Sequence, residues 1–434
     1  MFQSLARYIL KILSRAVVEK YQPKIVGITG SVGKTTTKEA ILLVLSKKYR
    51  VRGNIKNYNN EIGLPLTILG STSPGRSPWG WVKVIIGALG LLIFRDKNYP
   101  EFLVLEMGVD HPQDMDYLLT VVQPIIGVVT AIGQAHLEFF GTPDSIAEEK
   151  GKLVASLPPS GIAILNADDR RVAAMASRCK GKVITYGFGP EAQVRATEII
   201  FNYRQASKLS IEALTGISCE LHYHESMVPL SLPLIMTEAA LYSALAAVAV
   251  GLSEDLGLIE IADTLKDFRP LPGRFNLLSG FNDSIIIDDS YNASPTSVLA
   301  ALEILANLPV DDSAKRIAVL GDMLELGLDS PAEHRRVGQV VAGLPIGRLI
   351  LVGPLAKLIG EEAQNMGWSG RLDYFNDSSE AALKIKEIIS SPATILVKGS
   401  QGARMEKIVK ELLANPQEAS RYLVRQDGHW LANF

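Results

Sequence analysis

Residues 24–47 run KIVGITGSVGKTTTKEAILLVLSK. A short apolar run, Lys24–Gly30, ends in a glycine-rich turn, and a helical pattern follows from Lys34 to about Lys47. Strand, phosphate-type loop, helix is the order this predicts. Glycines let the backbone curl so that successive N–H groups face an anion, and the helix N-terminus adds its dipole. Lys34 then reaches the β- and γ-phosphates and the Thr35 hydroxyl ligates Mg²⁺. The strict GxxxxGK[ST] pattern fails at its first position, which is Ile28. The flanking strand and helix restore much of the lost specificity. ATP with Mg²⁺ is the expected ligand, cradled by Thr29, Gly30, Ser31, Val32, Gly33, Lys34, Thr35 and Thr36.

Outward from this loop the chain alternates. Strand-like runs at Phe102–Met107, Ile125–Thr130, Ile162–Asn166 and Val183–Tyr186 are separated by helical stretches near 113–122, 144–156 and 169–178. Such βα alternation predicts a mainly parallel sheet covered by helices. Between about 193 and 234 the texture changes to alternating runs, Lys208–Ala213, Ser218–Tyr223 and Met227–Leu232, read as a small antiparallel β insert. A helical pair, 237–251 and 254–267, precedes Arg269-Pro-Leu-Pro-Gly-Arg274, a predicted hinge. Strands near 284–288, 316–320, 348–352 and 394–398 then spell a second, Rossmann-like α/β domain. The expected organisation is an N-terminal amphipathic helix (1–22), a central P-loop ATPase domain (23–270) and a C-terminal domain (271–434).

Composition agrees with a packed multidomain enzyme. The 434 residues exceed a typical domain of roughly 150 about threefold. With 44 basic against 46 acidic side chains, the net charge of −2 argues against nucleic-acid binding, which needs a strongly basic surface. Cys179 and Cys219, with no CxxC pair, exclude a disulfide scaffold and a thiolate zinc cluster. A cytoplasmic monomer is expected.

The mean hydropathy of +0.17 is high for such a chain, and it has two local sources. Residues 81–94 read WVKVIIGALGLLIF, too short to cross a bilayer core, which takes about 20 residues. Residues 2–18 place Phe2, Leu5, Ile9, Ile12, Leu13, Ala16 and Val17 at helical spacing, with Arg7, Lys11 and Arg15 on the other face. Two readings stand. Both segments pack on the body of the protein, or 2–18 and 79–94 form peripheral contacts with the inner face of a membrane.

Glu106 closes the strand Phe102–Met107, at the carboxyl edge where open α/β sheets bind ligands. An acid there holds Mg²⁺ directly or through water; the alternative is a solvated strand-end residue. His136, in GQAHLE, and Lys150, fourteen residues on, would each read as structural or exposed if taken singly. His222 and His224 lie two apart on a strand without an acidic cluster and read as surface residues.

Taken together these residues resemble a specific family. TGSVGKT, the strand-end acid, HLEFFG, the lysine of EEKGKL, LNADD (165–169) and LPGRF (271–275) follow the order of the Mur ligase superfamily, ATP-dependent amide ligases of peptidoglycan assembly. NYNNEIGLPLTIL (57–69), DDSYNASP (288–295), LGDMLELG (320–327) and VKGSQGARM (397–405) are similar to the branch that adds D-alanyl-D-alanine to a UDP-muramoyl tripeptide. The match runs from about residue 23 to 410.

The resemblance implies roles. Lys34, His136, Lys150 and Arg274 are the catalytic set, with Thr35, Glu106 and His136 around the metal. Lys150 is carbamylated by CO₂, Asn166 recognises adenine, and Asp289 lies near the ribose with Tyr291 and Asn292 close by. Asn59, Asn60, Asp322 and Lys398 are candidates for substrate contacts. Dense positive charge is what attack of a carboxylate on a γ-phosphate requires. The resembling enzymes carry an N-terminal domain for the uridine nucleotide, and only about 23 residues precede the first strand here. Two rival readings follow: another ligase of the superfamily, such as a folylpolyglutamate synthase, or a nucleotide-binding regulator without catalysis. NNEIGLPLT and DDSYNASP favour the D-alanyl-D-alanine branch over the folate enzyme.

Overall fold

A computed structural model describes residues 2–55, 58–133, 137–203, 210–310, 312–389 and 392–426. The chain divides into two compact units, which separate between Phe268 and Arg269, with 201–216 and 233–237 grouped with the second.

The first unit is built on β1 (Lys24–Thr29), β2 (Val51–Gly53), β3 (Phe102–Glu106), β4 (Ile126–Val129), β5 (Ile162–Asn166), β6 (Lys182–Gly187), the greater part of β7 (Val194–Tyr203) and β8 (Leu214–Tyr223), and β9 (Ser226–Leu232). They form one sheet in the order β2-β3-β1-β4-β5-β6-β7-β8-β9. Residues of β1, β3 and β4 are apolar almost without interruption because helices cover both faces. Parallel pairing sets Ile28 beside Glu106 and Thr29 beside Val129, so the phosphate loop and the acid leave the same edge of the sheet.

The antiparallel insert is as expected: β8 and β9 pair antiparallel from Ile217↔Leu232 to Tyr223↔Ser226, and they continue the central sheet through β7. Of the strand expected at Lys208–Ala213, residues 208 and 209 lie outside the described residues. Ile211–Ala213 is a 3₁₀ turn closed by Ala213 N–H on Ser210 O at 3.0 Å. The apolar alternation of SIEAL imitates a strand at a length too short to tell one from a turn.

The helix Phe2–Tyr21 packs Leu10, Leu13 and Val17 into a core shared with Ile25, Leu103 and Leu105. The helix Pro78–Ile93 adds Val84 and Ala88 to the same core. Its start is capped by the Ser77 hydroxyl, which accepts from Gly80 N. The Lys20 ammonium donates to the carbonyls of Leu91 and Leu92 in the last turn and of Phe94 just past its end at 2.9–3.0 Å, a cation at the negative end of the helix. Among the described residues no helix is long and apolar enough to cross a membrane.

The second unit carries β10 (Asn276–Ser279), β11 (Ile285–Asp289), β12 (Arg316–Gly321), β13 (Arg348–Val352), β14 (Arg371–Phe375) and β15 (Thr394–Lys398), in the order β10-β11-β15-β12-β13-β14. All pairs are parallel except β10 with β11. β10 and β14 are edge strands with mixed burial, which is why their sequences carry no clear strand signal. The α/β class and the mainly parallel sheets are as the sequence predicts.

Candidate active site

The phosphate loop is held by glycine geometry and by its neighbours. Gly30 has φ 145°, and a Cβ there would sit 1.9 Å from Thr130 Oγ1. Gly33, at φ 87°, is the N-cap of the helix Lys34–Leu45. Both conformations belong to glycine. Thr130 Oγ1 donates to Val32 O at 2.6 Å, and Ser31 N–H is spent on Ala131 O at 2.7 Å rather than offered to an anion. The Ser31 hydroxyl is buried and has no hydrogen-bond partner among the described residues, the type of orphaned donor that a phosphate oxygen satisfies. Lys34 Nζ folds back on Gly30 O at 2.8 Å.

At the adjacent strand end Thr35 Oγ1 donates to Glu106 Oε2 at 2.9 Å, and Asn59 Nδ2 donates to Glu106 Oε1 at 3.2 Å. Glu106 is 4% exposed, and no described cation pairs with it. A buried carboxylate calls for a cation. Together with the Thr35 hydroxyl it offers hard oxygen ligands of the kind Mg²⁺ takes, so the residues present fit that ion. Asn60 serves the turn, its Oδ1 accepting from Gly63 N at 2.9 Å at the start of the helix Gly63–Ile68.

Lys150 sits on the helix Pro143–Ala155, 1% exposed, with Nζ 3.5 Å from Val109 O. Burial, reinforced by the charge of Lys34 and opposed by Asp110, Glu149 and Asp114, pushes its ammonium down to about 7. A lysine so placed is divided between ammonium and uncharged amine near neutrality. His136 lies outside the described residues.

Along the same sheet edge Asn166 ends β5 and accepts from Asp168 N at 3.0 Å. Asp168 accepts from Phe188 N, Gly189 N and the Tyr242 hydroxyl at 2.6–2.9 Å, and the Phe188 and Tyr242 rings stack at 4.1 Å. In the second unit, Arg274 lies over the Tyr291 ring at 4.2 Å. Gly273 N donates to Asp288 at 3.0 Å, and burial raises that carboxyl to about 6. Asp289 accepts from Phe275 N at 3.2 Å and pairs with Lys398 at 2.6 Å; Lys398 also donates to Asn292 O. Asp322 accepts from Leu355 N and Ala356 N, fixing the turn before the helix Lys357–Asn365.

Two family models match the chain: the Mur ligase middle domain over residues 28–75 and 86–251, and the Mur ligase glutamate ligase domain over 273–401. The UDP-N-acetylmuramoyl-tripeptide--D-alanyl-D-alanine ligase of Bacillus subtilis (strain 168) is 30% identical over 407 residues, 94% of this chain and 79% of that enzyme. The ligase of the same name from Escherichia coli (strain K12) is 30% identical over 408 residues, 93% of this chain and 80% of that enzyme. The crystal structure of MurF from Acinetobacter baumannii superposes with a TM-score of 0.75 at 28% identity, covering 94% of this chain and 81% of that one. The chain belongs to the Mur ligase family.

As a Mur ligase it brings Lys34, Thr35, Glu106 and Asn59 to one sheet edge in the first unit, and Asp289, Asn292, Asp322 and Lys398 to the carboxyl ends of strands in the second. One positioning residue escaped the sequence reading. Asn54 accepts from Glu106 N at 2.5 Å, donates to Glu106 O at 3.2 Å, and donates again to Tyr58 O. Its own carbonyl accepts from Lys38, which is 1% exposed. A lone asparagine after a three-residue strand carries no motif; the buried lysine at helical spacing from the loop was the available signal. His222 bonds Thr197 at 2.8 Å, and no described group of His, Cys, Asp and Glu is arranged for a metal.

Proposed function

We propose that this Mur ligase is an ATP-dependent, ADP-forming amide ligase that joins D-alanyl-D-alanine to UDP-N-acetylmuramoyl-tripeptide. The observation that carries the reading is the Thr35–Glu106 contact of 2.9 Å beside the phosphate loop, in a chain 30% identical to enzymes named for that reaction. The peptide's terminal carboxylate attacks the γ-phosphorus of ATP and ADP leaves. The free amine of the dipeptide then attacks the acyl carbon of the acyl phosphate, inorganic phosphate leaves with the C–O bond electrons, and the nitrogen gives up one proton to phosphate or solvent. Thr35 and Glu106, with the expected His136, would hold Mg²⁺, which when bound would supply positive charge against the triphosphate. Lys34 neutralises phosphate oxygens from the loop. Arg274, Asp289, Tyr291, Asn292, Asp322 and Lys398 are proposed nucleotide- or substrate-contacting groups of the second unit, with Asn166, Asn59 and Asn60 from the first.

Lys150 is proposed to be carbamylated. The uncharged amine attacks CO₂, forming an N–C bond and releasing a proton, and the resulting carbamate is an anion able to hold metal or position phosphate. The enzyme is taken to work as a monomer in the cytoplasm, where ATP is supplied. ADP release that requires both UDP-N-acetylmuramoyl-tripeptide and D-alanyl-D-alanine tests the reading. ATP binding without substrate-stimulated turnover would favour a regulator instead.

A further inference from the structure

Apart from Lys83 the helix Pro78–Ile93 is apolar all round, and only one side is packed against the core. Trp81, Val84, Ile85, Ala88, Leu91 and Leu92 face the core of the first unit. On the opposite side Trp79, Val82, Ile86, Leu89, Ile93 and Phe94 are exposed, at 42–78%. Their spacing of three, four, three and four residues, with Phe94 adjoining, makes a continuous stripe along the helix. Contiguous apolar surface of this extent marks an interaction site. The helix is also fastened in place: Ser77 caps its start, and Lys20 and the Tyr21 hydroxyl hold its last carbonyls. Sixteen residues span about 24 Å, short of the roughly 30 Å of a bilayer core, so the stripe presents itself lengthwise.

Charge identifies the occupant. Segments 2–21 and 74–99 hold eight Lys and Arg against two Asp and Glu, whereas the rest of the chain holds 36 against 44. Arg76, Lys83 and Arg95 are exposed beside the stripe, and Arg15 is exposed with Tyr8 and Ile12 on the helix that packs against it. A second copy covering the stripe would bring these like charges together. An anionic bilayer meets both the apolar and the cationic requirement.

We propose that the outer face of the helix Pro78–Ile93 docks in the headgroup layer of an anionic membrane, with Arg76, Lys83 and Arg95 on lipid phosphates. This docking is independent of the ligase reading. The test is co-sedimentation of the full chain with phosphatidylcholine vesicles, with and without about 30 mol% phosphatidylglycerol. We expect about ten-fold more protein on the anionic vesicles, most of it released at about 0.5 M salt. The double substitution Ile86→Glu, Ile93→Glu should abolish pelleting, and Lys83→Glu with Arg95→Glu should reduce it several-fold, both leaving ADP release unchanged. Equal pelleting on neutral and anionic vesicles, none on either, or binding indifferent to Ile86→Glu, Ile93→Glu overturns the proposal. So does a dimer in sedimentation velocity that the same double variant dissociates while vesicles bind neither form.

Discussion

Thr35 Oγ1 and Glu106 Oε2 lie 2.9 Å apart, joining the first turn of the phosphate-loop helix to the end of β3. Parallel pairing of β1 with β3, Ile28 beside Glu106, produces that proximity from residues 71 apart in sequence. If the pair receives Mg²⁺, Thr35→Ala and Glu106→Gln should each lower turnover by about 10²–10³-fold. The Mg²⁺ concentration for half-maximal rate should rise in both. Unchanged Mg²⁺ dependence in Glu106→Gln would remove this acid from the metal site.

Gly30→Ala should abolish binding of a fluorescent ATP analogue. The added Cβ meets Thr130 Oγ1 at 1.9 Å on a backbone of φ 145°, so the loop must open. The replacement lies at one sheet edge, and the circular dichroism spectrum should stay native-like. Retained nucleotide affinity would mean that the loop's curvature is not what holds phosphate.

Lys150 sets a pH dependence whose sign is fixed. Its folded value of about 7 lies below the 10.5 of an unfolded lysine. Between those values the unfolded chain binds more protons, so stability rises with pH from about 7 towards 10. Below about 7 the penalty of the buried ammonium is fully present. Urea unfolding in CO₂-free buffer should show that slope, and Lys150→Met should flatten it. Added bicarbonate should raise stability across the same window without removing the slope, because the unfolded lysine sheds CO₂ and takes up protons. Lys150→Ala should also lose about 100-fold or more in turnover. Stability indifferent to bicarbonate, with full activity in CO₂-free buffer, would contradict the carbamate.

Lys398 and Asp289 form an ion pair at 2.6 Å with side chains 3% and 17% exposed. Breaking one partner of a buried pair leaves an uncompensated charge, at a cost of about 3–5 kcal/mol. Lys398→Met should therefore destabilise the second unit by about that amount, and Asp289→Asn combined with it should recover part. Equal unfolding midpoints for wild type and Lys398→Met would show the pair to be energetically idle.

What the sequence made legible follows from how local each signal is. The phosphate loop was readable because strand, glycines, lysine and helix are contiguous in 24–47. Glu106 was readable because an acid ending an apolar run is visible one residue at a time. Asn54 was not: its hydrogen bonds to Glu106 join residues 52 apart, and its neighbours spell no pattern. The strand expected at Lys208–Ala213 failed over Ile211–Ala213 because so short an alternation suits a 3₁₀ turn equally well. The apolar 81–94 segment was evident as composition, but its division into a packed and an exposed face needed the burial of Val84 and Ala88 against the exposure of Ile86 and Ile93.

The most direct test of the account is ADP release by the purified full chain with UDP-N-acetylmuramoyl-tripeptide and D-alanyl-D-alanine, supplied together and singly, with Mg²⁺ and bicarbonate present. The account predicts release only with both substrates, accompanied by one amide product per ADP. Release that ignores the dipeptide, or none with both substrates under conditions where ATP is bound, would contradict it.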